Sequence, residues 1–151
     1  MDRTVNYDQL CAQLAALTDG IPYPIANLAN ASALIWQELK DINWAGFYLM
    51  TDGALILGPF QGKTACIRIP VGRGVCGTAV AQEKTQLVPD VHAFPGHIAC
   101  DSASRSEIVV PVWKNGEIWG VLDIDSPYEN RFTSEDQAGL EAFVKVLEKA
   151  I

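Results

Sequence analysis

The spacing of apolar positions changes about forty residues into the chain. Residues 6–20 and 22–41 carry apolar side chains at helical spacing; Gly20 ends the first segment, and prolines open the second. The pattern then becomes typical of β-strands, with many aromatic and β-branched residues. Three such strand segments follow the helices: residues 43–50, 54–60 and 65–70.

Two dipeptides predict tight turns between strands. Asp52-Gly53 lies between the first two strand segments, and Asn115-Gly116 lies in the middle of residues 107–126. Both are preferred two-residue hairpin turns. The second is flanked by strand residues on both sides and predicts the clearest hairpin of the chain.

The remaining segments complete an α+β pattern. Residues 71–84 begin with a glycine-rich turn and continue as a short helix, residues 85–91 are briefly extended, and residues 92–106 form a long irregular loop. Loops of that length in compact domains are often functional. Residues 133–150 begin with a Ser/Thr cap and an acidic first turn, and then follow helical spacing.

This order of elements predicts one α+β domain over residues 1–151. We expect a central antiparallel sheet, the N- and C-terminal helices packed on one face, and a ligand pocket on the other.

Composition narrows the class of protein. The chain has 151 residues, of which 49% are hydrophobic and 19% charged, as in a globular domain. It has no apolar run near the ~20 residues of a membrane span, and its first residues lack the core of a signal peptide. We therefore expect a cytoplasmic protein. The net charge of −7 argues against nucleic-acid and anionic membrane partners.

Side chains two apart on a strand share a face, which predicts two candidate groups. Trp44 and Tyr48 share one face, with Gly46 leaving open space between them; ordinary core packing is the alternative. Asp123 and Asp125 share a face of a later strand.

Counting back from the Asn115-Gly116 turn places Glu107 near these two aspartates, to within a residue or two. The three carboxyl groups are therefore expected to converge. A solvated strand edge or turn capping would explain the aspartates equally simply.

The four cysteines have different surroundings and contain no C-x-x-C pair. Cys11 lies among leucines and reads as a small core residue. Cys66 lies on the more polar face of its strand. Cys76 lies at a predicted helix start, which favours a low thiol pKa, although apolar filling is as good an explanation. Cys100 precedes Asp101 in the long loop and is the best local candidate for a nucleophile.

A metal ion is the rival use of the cysteines and histidines. His92, His97 and Cys100 do not match standard zinc spacing, so we predict no metal and no cofactor.

The chain resembles the free methionine-(R)-sulfoxide reductases, which are single GAF domains. The resemblance is carried by "NWAGFYL", "LGPFQGKTACIRIPVGRGVCGTA", "DVHAFPGHIACDSASRSEIVVP" and "GVLDIDSP", and most specifically by three cysteines spaced ten and twenty-four residues apart. It implies that Cys100 is the catalytic thiolate, Cys66 the main resolving cysteine and Cys76 a further disulfide-forming cysteine. The implied pocket consists of Trp44, Tyr48, Glu107, Asp123 and Asp125.

The resemblance also implies a reaction and partners. Free methionine-(R)-sulfoxide would be reduced through a sulfenic acid on Cys100 and a Cys66–Cys100 disulfide, which thioredoxin would reduce. Glu107 or Asp125 would supply a proton, and Asp123 or Asp125 would bind the substrate ammonium. Backbone N–H groups around Ile98 and Ala99 would bind the substrate carboxylate.

The family resemblance further suggests a homodimer. A non-enzymatic GAF sensor of a small ligand and a redox-sensing interaction protein are the alternative functions.

Overall fold

The structure is a computed structural model that describes residues 2–97 and 102–151. In this part of the chain, six antiparallel strands form one sheet in the order β3-β2-β1-β6-β5-β4. The strands are β1 (Trp44–Thr51), β2 (Ala54–Gly62), β3 (Arg68–Pro70), β4 (Gln86–Val88), β5 (Ser106–Lys114) and β6 (Glu117–Ser126). The α-helices are α1 (Tyr7–Thr18), α2 (Pro24–Glu38), α3 (Gly74–Gln82) and α4 (Ser134–Glu148).

Local capping explains where the helices begin. The Asn6 side chain accepts a hydrogen bond from the N–H of Gln9 at the start of α1, and Pro24 opens α2. Thr133 and Asp136 form a reciprocal capping box at the start of α4. These signals stand in the sequence, so the helices agree with the predicted segments.

Both predicted turns have the backbone that their sequences favour. Asp52 and Gly53 have φ of 52° and 80°, and Asn115 and Gly116 have φ of 55° and 79°. Positive φ at both central positions is the signature of a type I′ turn, whose twist matches that of the flanking strands. These turns fix where β1 meets β2 and where β5 meets β6.

The sheet has two differently covered faces. On one face, Phe47 and Ile124 pack in a core with apolar side chains of α1, α2 and α4. On the other, Trp44 and Tyr48 belong to a second cluster that includes Val75 of α3. The predicted fold class is therefore confirmed, with the pocket face partly covered by α3.

The third strand is shorter than predicted. Residues 65–70 were expected to be extended, but β3 begins only at Arg68. The preceding loop is held by the pocket aromatics: the Tyr48 hydroxyl donates to the carbonyl of Cys66 (2.9 Å), and Trp44 Nε1 donates to the carbonyl of Lys63 (3.1 Å). These bonds draw the loop over the sheet face and away from the ladder.

Among the described residues, no helix is both long enough and apolar enough to cross a bilayer.

Candidate active site

Two aromatic rings form one wall of the pocket, and a third ring stacks on this aromatic wall. The rings of Trp44 and Tyr48 stack with centroids 5.8 Å apart, and Phe60 stacks on Trp44 at 5.1 Å. The expected open space at Gly46 is wrong: a Cβ there would lie 2.2 Å from the Cβ of Phe60. The β1–β2 register shifts between Gly46 and Tyr48, and Phe60 lies opposite Gly46. Glycine is thus required because β2 approaches closely.

The predicted carboxyl groups converge across two strand pairs. Glu107 of β5 is paired with Asp125 of β6, and Val109 with Asp123. On the other side of β6, Asp125 pairs with Trp44 of β1. Cross-strand partners share a face, so the three acids lie beside the aromatic wall.

Burial makes this cluster of acids unusual. Glu107 is 7% exposed and Asp123 is 5% exposed. Burial raises the pKa of Glu107 well above its usual range, and the charges of Asp123 and Asp125 raise it further. Burial also raises the pKa of Asp123, although its hydrogen bond with Glu107 opposes the shift. Two carboxyl groups that hydrogen-bond to each other in a buried site favour holding one proton between them.

An oxygen of Asp123 has no partner within the described part of the chain. Asp123 Oδ1 is buried and accepts no hydrogen bond there. An unpaired carboxylate oxygen is costly in a protein interior, so its position favours a ligand that brings a donor.

The thiol of Cys76 lies against the acids. Cys76 is the third residue of α3 and is 4% exposed. Burial raises its pKa well above the usual range, and the charges of Asp123, Glu107 and Asp125 add to the effect. The thiol donates to Asp123, because their bond raises the pKa of Cys76 and lowers that of Asp123. The expectation of a low thiol pKa for Cys76 at a helix start is therefore wrong, and its burial agrees with the alternative of apolar filling.

The remaining lining residues were not predicted as pocket residues. The lining of the pocket also includes Thr64, Arg73, His97 and Ser104. Burial and the neighbouring His92 lower the pKa of His97, against the attraction of Asp123. These residues lie in loops or at a helix entry, where strand alternation gives no signal.

The other cysteines differ in state and position. Cys66 is disulfide-bonded, whereas Cys11 and Cys76 are free thiols. Cys11 packs against the core beneath the helices, on the face away from the pocket. This location agrees with a structural role. Ile98, Ala99 and Cys100 lie outside the described residues, so their roles stay predictions.

One set of described side chains has donor atoms close enough for a metal ion. The ligand atoms of Cys76, Glu107 and Asp123 lie within 4.8 Å of one another. Cys76 and Glu107 both hydrogen-bond to Asp123, and a metal ion would have to displace the protons in these bonds. Proton sharing already accounts for their contacts, and the absence of a metal stays a prediction.

Comparison with known proteins identifies the family. The family model of the GAF domain matches residues 11–151. A relative named free methionine-R-sulfoxide reductase, from Escherichia coli, is 57% identical over 151 residues, which is all of this chain and 92% of the relative. This chain belongs to the free methionine-R-sulfoxide reductase family. A relative of the same name from Saccharomyces cerevisiae is 48% identical, over 95% of this chain and 84% of its own length.

Solved structures of the free methionine-R-sulfoxide reductase family have the same fold. The structure of fRMsr of Staphylococcus aureus in complex with substrate is 53% identical, with a TM-score of 0.95 over 99% of this chain and 98% of that one. The family member from Neisseria meningitidis, also in complex with its substrate, is 41% identical, with a TM-score of 0.92 over 99% of this chain and 95% of that one. The predicted family is thus confirmed.

Proposed function

We propose that this chain reduces free methionine-R-sulfoxide to methionine at the pocket between the aromatic wall and the buried acids. It is an oxidoreductase of the methionine sulfoxide reductase family, and its closely similar relatives bear that activity in their names. The observation that carries the proposal is the convergence of Glu107, Asp123 and Asp125 on one sheet face, where burial and the charges of both aspartates raise the pKa of Glu107. Reduction of a sulfoxide requires a proton for the oxygen, and a carboxylic acid kept protonated near neutral pH supplies it.

The reaction proceeds in two chemical steps. The Cys100 thiolate attacks the sulfoxide sulfur while Glu107 protonates the oxygen, with Asp125 as the second proton donor in the cluster. The oxygen then moves to Cys100 Sγ as the bonds of the methionine sulfur to that oxygen and to Cys100 break, which releases methionine and leaves a sulfenic acid on Cys100. The Cys66 thiol then attacks that sulfur, a disulfide forms, and the oxygen departs as water.

The pocket walls match the parts of the substrate. Trp44 and Tyr48 form an apolar wall for the S-methyl group. Asp123 binds the ammonium group, and its buried, unpartnered Oδ1 supports this role because the ammonium brings the missing donor. The substrate carboxylate is proposed to bind the backbone N–H groups of Ile98 and Ala99. Separate subsites for methyl and oxygen give selectivity for one sulfoxide epimer.

The states of the cysteines support the resolving step. Cys66 is disulfide-bonded while Cys11 and Cys76 are free thiols, which supports Cys66 as the partner of Cys100. A buried thiol with a raised pKa is a poor nucleophile, so Cys76 is proposed as an auxiliary cysteine. Thioredoxin is the proposed reductant of the disulfide. A cycle that depends on free thiols needs a reducing compartment, so we propose a cytoplasmic location.

The assembly is proposed to be a homodimer of single-domain subunits, each spanning residues 1–151. Exposed apolar side chains at the end of α1 and the start of α2 support this, since large apolar patches are often interfaces. They are Leu17, Ile21, Tyr23 and Ile25. Sedimentation velocity of the wild type and of Ile25→Asp tests the proposal; a monomeric wild type would refute it.

A stoichiometric assay tests the activity. Reduced protein is mixed with free methionine-R-sulfoxide, and methionine formed and thiols lost are both counted. We expect about two thiols lost per methionine, since one thiol becomes the sulfenic acid and a second condenses with it. Cys100→Ser should form no methionine. Ligand binding without thiol loss would point to a sensor, and thiol loss to peroxide alone would point to a redox-sensing protein.

A further inference from the structure

The surface around Cys66 differs from the rest of the molecule. The residue after Cys66, Ile67, is 72% exposed, and Val71 is 42% exposed. Lys63, which precedes Cys66, and Arg68, which lies between Ile67 and Val71, are also exposed. We call these four residues the Cys66 surface. An exposed aliphatic and an exposed basic side chain thus directly follow a disulfide-bonded cysteine.

Charge along the chain reinforces this difference. Residues 53–82 contain three basic residues (Lys63, Arg68 and Arg73) and no Asp or Glu. This segment therefore contributes +3, whereas the whole chain carries −7, so the remaining residues carry −10. A local positive field on an acidic protein steers an acidic partner to that place and away from others.

The strand next to Cys66 lies at the edge of the sheet formed by the described residues. There, β3 pairs with β2. Its outer edge offers little for strand addition, since Pro70 has no N–H and its carbonyl accepts from the N–H of Arg73. The start of this edge is fixed in place, because the Ile67 carbonyl accepts from Leu57 N–H at 2.9 Å and the Cys66 carbonyl accepts from the Tyr48 hydroxyl.

We propose that the Cys66 surface is the docking site for the protein that reduces the enzyme's disulfide. The partner is a Cys-x-x-Cys thiol–disulfide oxidoreductase whose active-site rim is apolar and acidic. Ile67 fills its apolar rim, and Lys63 and Arg68 meet its acidic groups. The inference rests on the proposed function in one respect, namely that the disulfide at Cys66 is reduced in each turnover.

The exchange at this site is balanced in electrons and protons. The partner's first thiolate attacks Cys66 Sγ, which forms a mixed disulfide and releases the other enzyme sulfur as a thiolate. The partner's second thiol then attacks the partner's first sulfur in the mixed disulfide, which completes the partner's disulfide and releases Cys66 as a thiolate. Two electrons pass to the enzyme, the partner ends as a disulfide, and solvent supplies the protons taken up by the enzyme thiols.

The test measures disulfide reduction directly, without sulfoxide. The chain is oxidised with diamide, and peptide mapping checks that Cys66 is in the disulfide. Second-order rate constants for its reduction are then measured with reduced thioredoxin and, separately, with dithiothreitol. The variants are Ile67→Asp and Arg68→Glu. The matched controls lie at the opposite edge of the sheet: Leu87→Asp in β4 and Lys84→Glu just before it.

We expect Ile67→Asp and Arg68→Glu each to lower the thioredoxin rate by about tenfold, as for a central interface contact. The dithiothreitol rate should stay within about threefold of wild type, because a small dithiol needs no docking surface. The wild-type thioredoxin rate should fall as salt is added, and this dependence should weaken in Arg68→Glu. The control variants should match wild type with both reductants.

Two results would overturn the docking site: thioredoxin rates equal to wild type in both variants, or an equal loss with dithiothreitol. If Ile67→Asp does not fold, the comparison of Arg68→Glu with its control Lys84→Glu decides whether the docking site is correct. Failure of the wild type to convert methionine sulfoxide would overturn the proposed function instead. The two failures are distinct because the docking assay contains no sulfoxide.

Discussion

Replacing Glu107 by Gln tests the central chemical claim, that a buried acid protonates the sulfoxide oxygen. Glu107 lies on β5 opposite Asp125 and hydrogen-bonds to Asp123 and Asp125. Glutamine has the same shape and can still donate a hydrogen bond, so the pocket should keep its form. The variant loses only the transferable proton.

The expected loss follows from what remains in the pocket. A well-placed general acid contributes about 10²–10⁴-fold, or about 2.7–5.5 kcal/mol of activation free energy. Asp123 and Asp125 remain on the same face and can share a proton between them. We therefore expect a loss near the lower end, about 100-fold in the rate of the first step.

A single-turnover assay isolates that step. Reduced protein in excess over methionine-R-sulfoxide is quenched at intervals, and methionine is quantified by chromatography, so the rate of disulfide reduction does not enter. The alkaline limb of the pH–rate profile should move to lower pH in Glu107→Gln, because the remaining pair of acids loses its proton more readily. Glu117→Gln, at an exposed position of the same hairpin, is the control. A Glu107→Gln rate within about threefold of wild type would refute the role of Glu107 as the acid.

Glu107→Gln should slow the reaction but increase the stability of the folded protein relative to wild type as pH rises. The pKa values of Glu107 and Asp123 are raised in the folded state by burial. The stability associated with these groups is fully present below their unfolded-state pKa values and is lost as pH rises through the folded ones. Each unit of elevation removes about 1.4 kcal/mol, and glutamine never ionises. Urea unfolding should therefore show Glu107→Gln gaining on wild type as pH rises from about 5 to about 8, whereas a parallel pH dependence would contradict the burial argument.

Three further substitutions test separate parts of the structure. Tyr48→Phe removes the hydroxyl that donates to the Cys66 carbonyl, so disulfide formation should slow while the first step is unchanged. The free energy of unfolding should fall by about 1 kcal/mol. Stopped-flow thiol counting measures the second step, and an unchanged rate there would contradict this expectation. Cys76→Ser should retain steady-state turnover with thioredoxin, and a tenfold drop would place Cys76 on the main resolving path. Gly139→Ala brings a Cβ within 2.1 Å of the Tyr7 ring. This overlap should destabilise the protein by about 1–3 kcal/mol, although alanine has the better helix propensity. A higher thermal unfolding midpoint than wild type would contradict the close packing of Gly139 against Tyr7.

The predictable features of the fold are the local ones. The turns at Asp52-Gly53 and Asn115-Gly116 follow from side chains that tolerate positive φ, and the structure has that backbone at each. Helix starts likewise depend on neighbouring residues, as in the Thr133–Asp136 capping box. The sharing of one strand face by Trp44 and Tyr48 needed only the two-residue period of a strand.

The alternation of side chains along a strand does not determine the register between neighbouring strands. Counting back from the Asn115-Gly116 turn without interruption places Glu107 opposite Ile124, on the core-facing side. The register shift between Val112 and Trp113 moves Glu107 opposite Asp125 instead. A single unpaired residue therefore decides whether the acids meet, since a one-residue slip exchanges the two faces of a strand. The second shift, beside Gly46, likewise brings Phe60 into the space expected to be open.

These register shifts place the reactive groups where they reduce stability. Glu107 and Asp123 are buried together, and Asp123 Oδ1 accepts no hydrogen bond from the described residues. Each feature lowers the free energy of unfolding, and a core built from the other face of the sheet and three helices offsets that cost. The gain is chemical, because an acid stays protonated near neutral pH and an unpaired oxygen can receive a cationic ligand. If this account is right, substitutions that stabilise the acid cluster should be those that slow the first step, and Glu107→Gln is the clearest case.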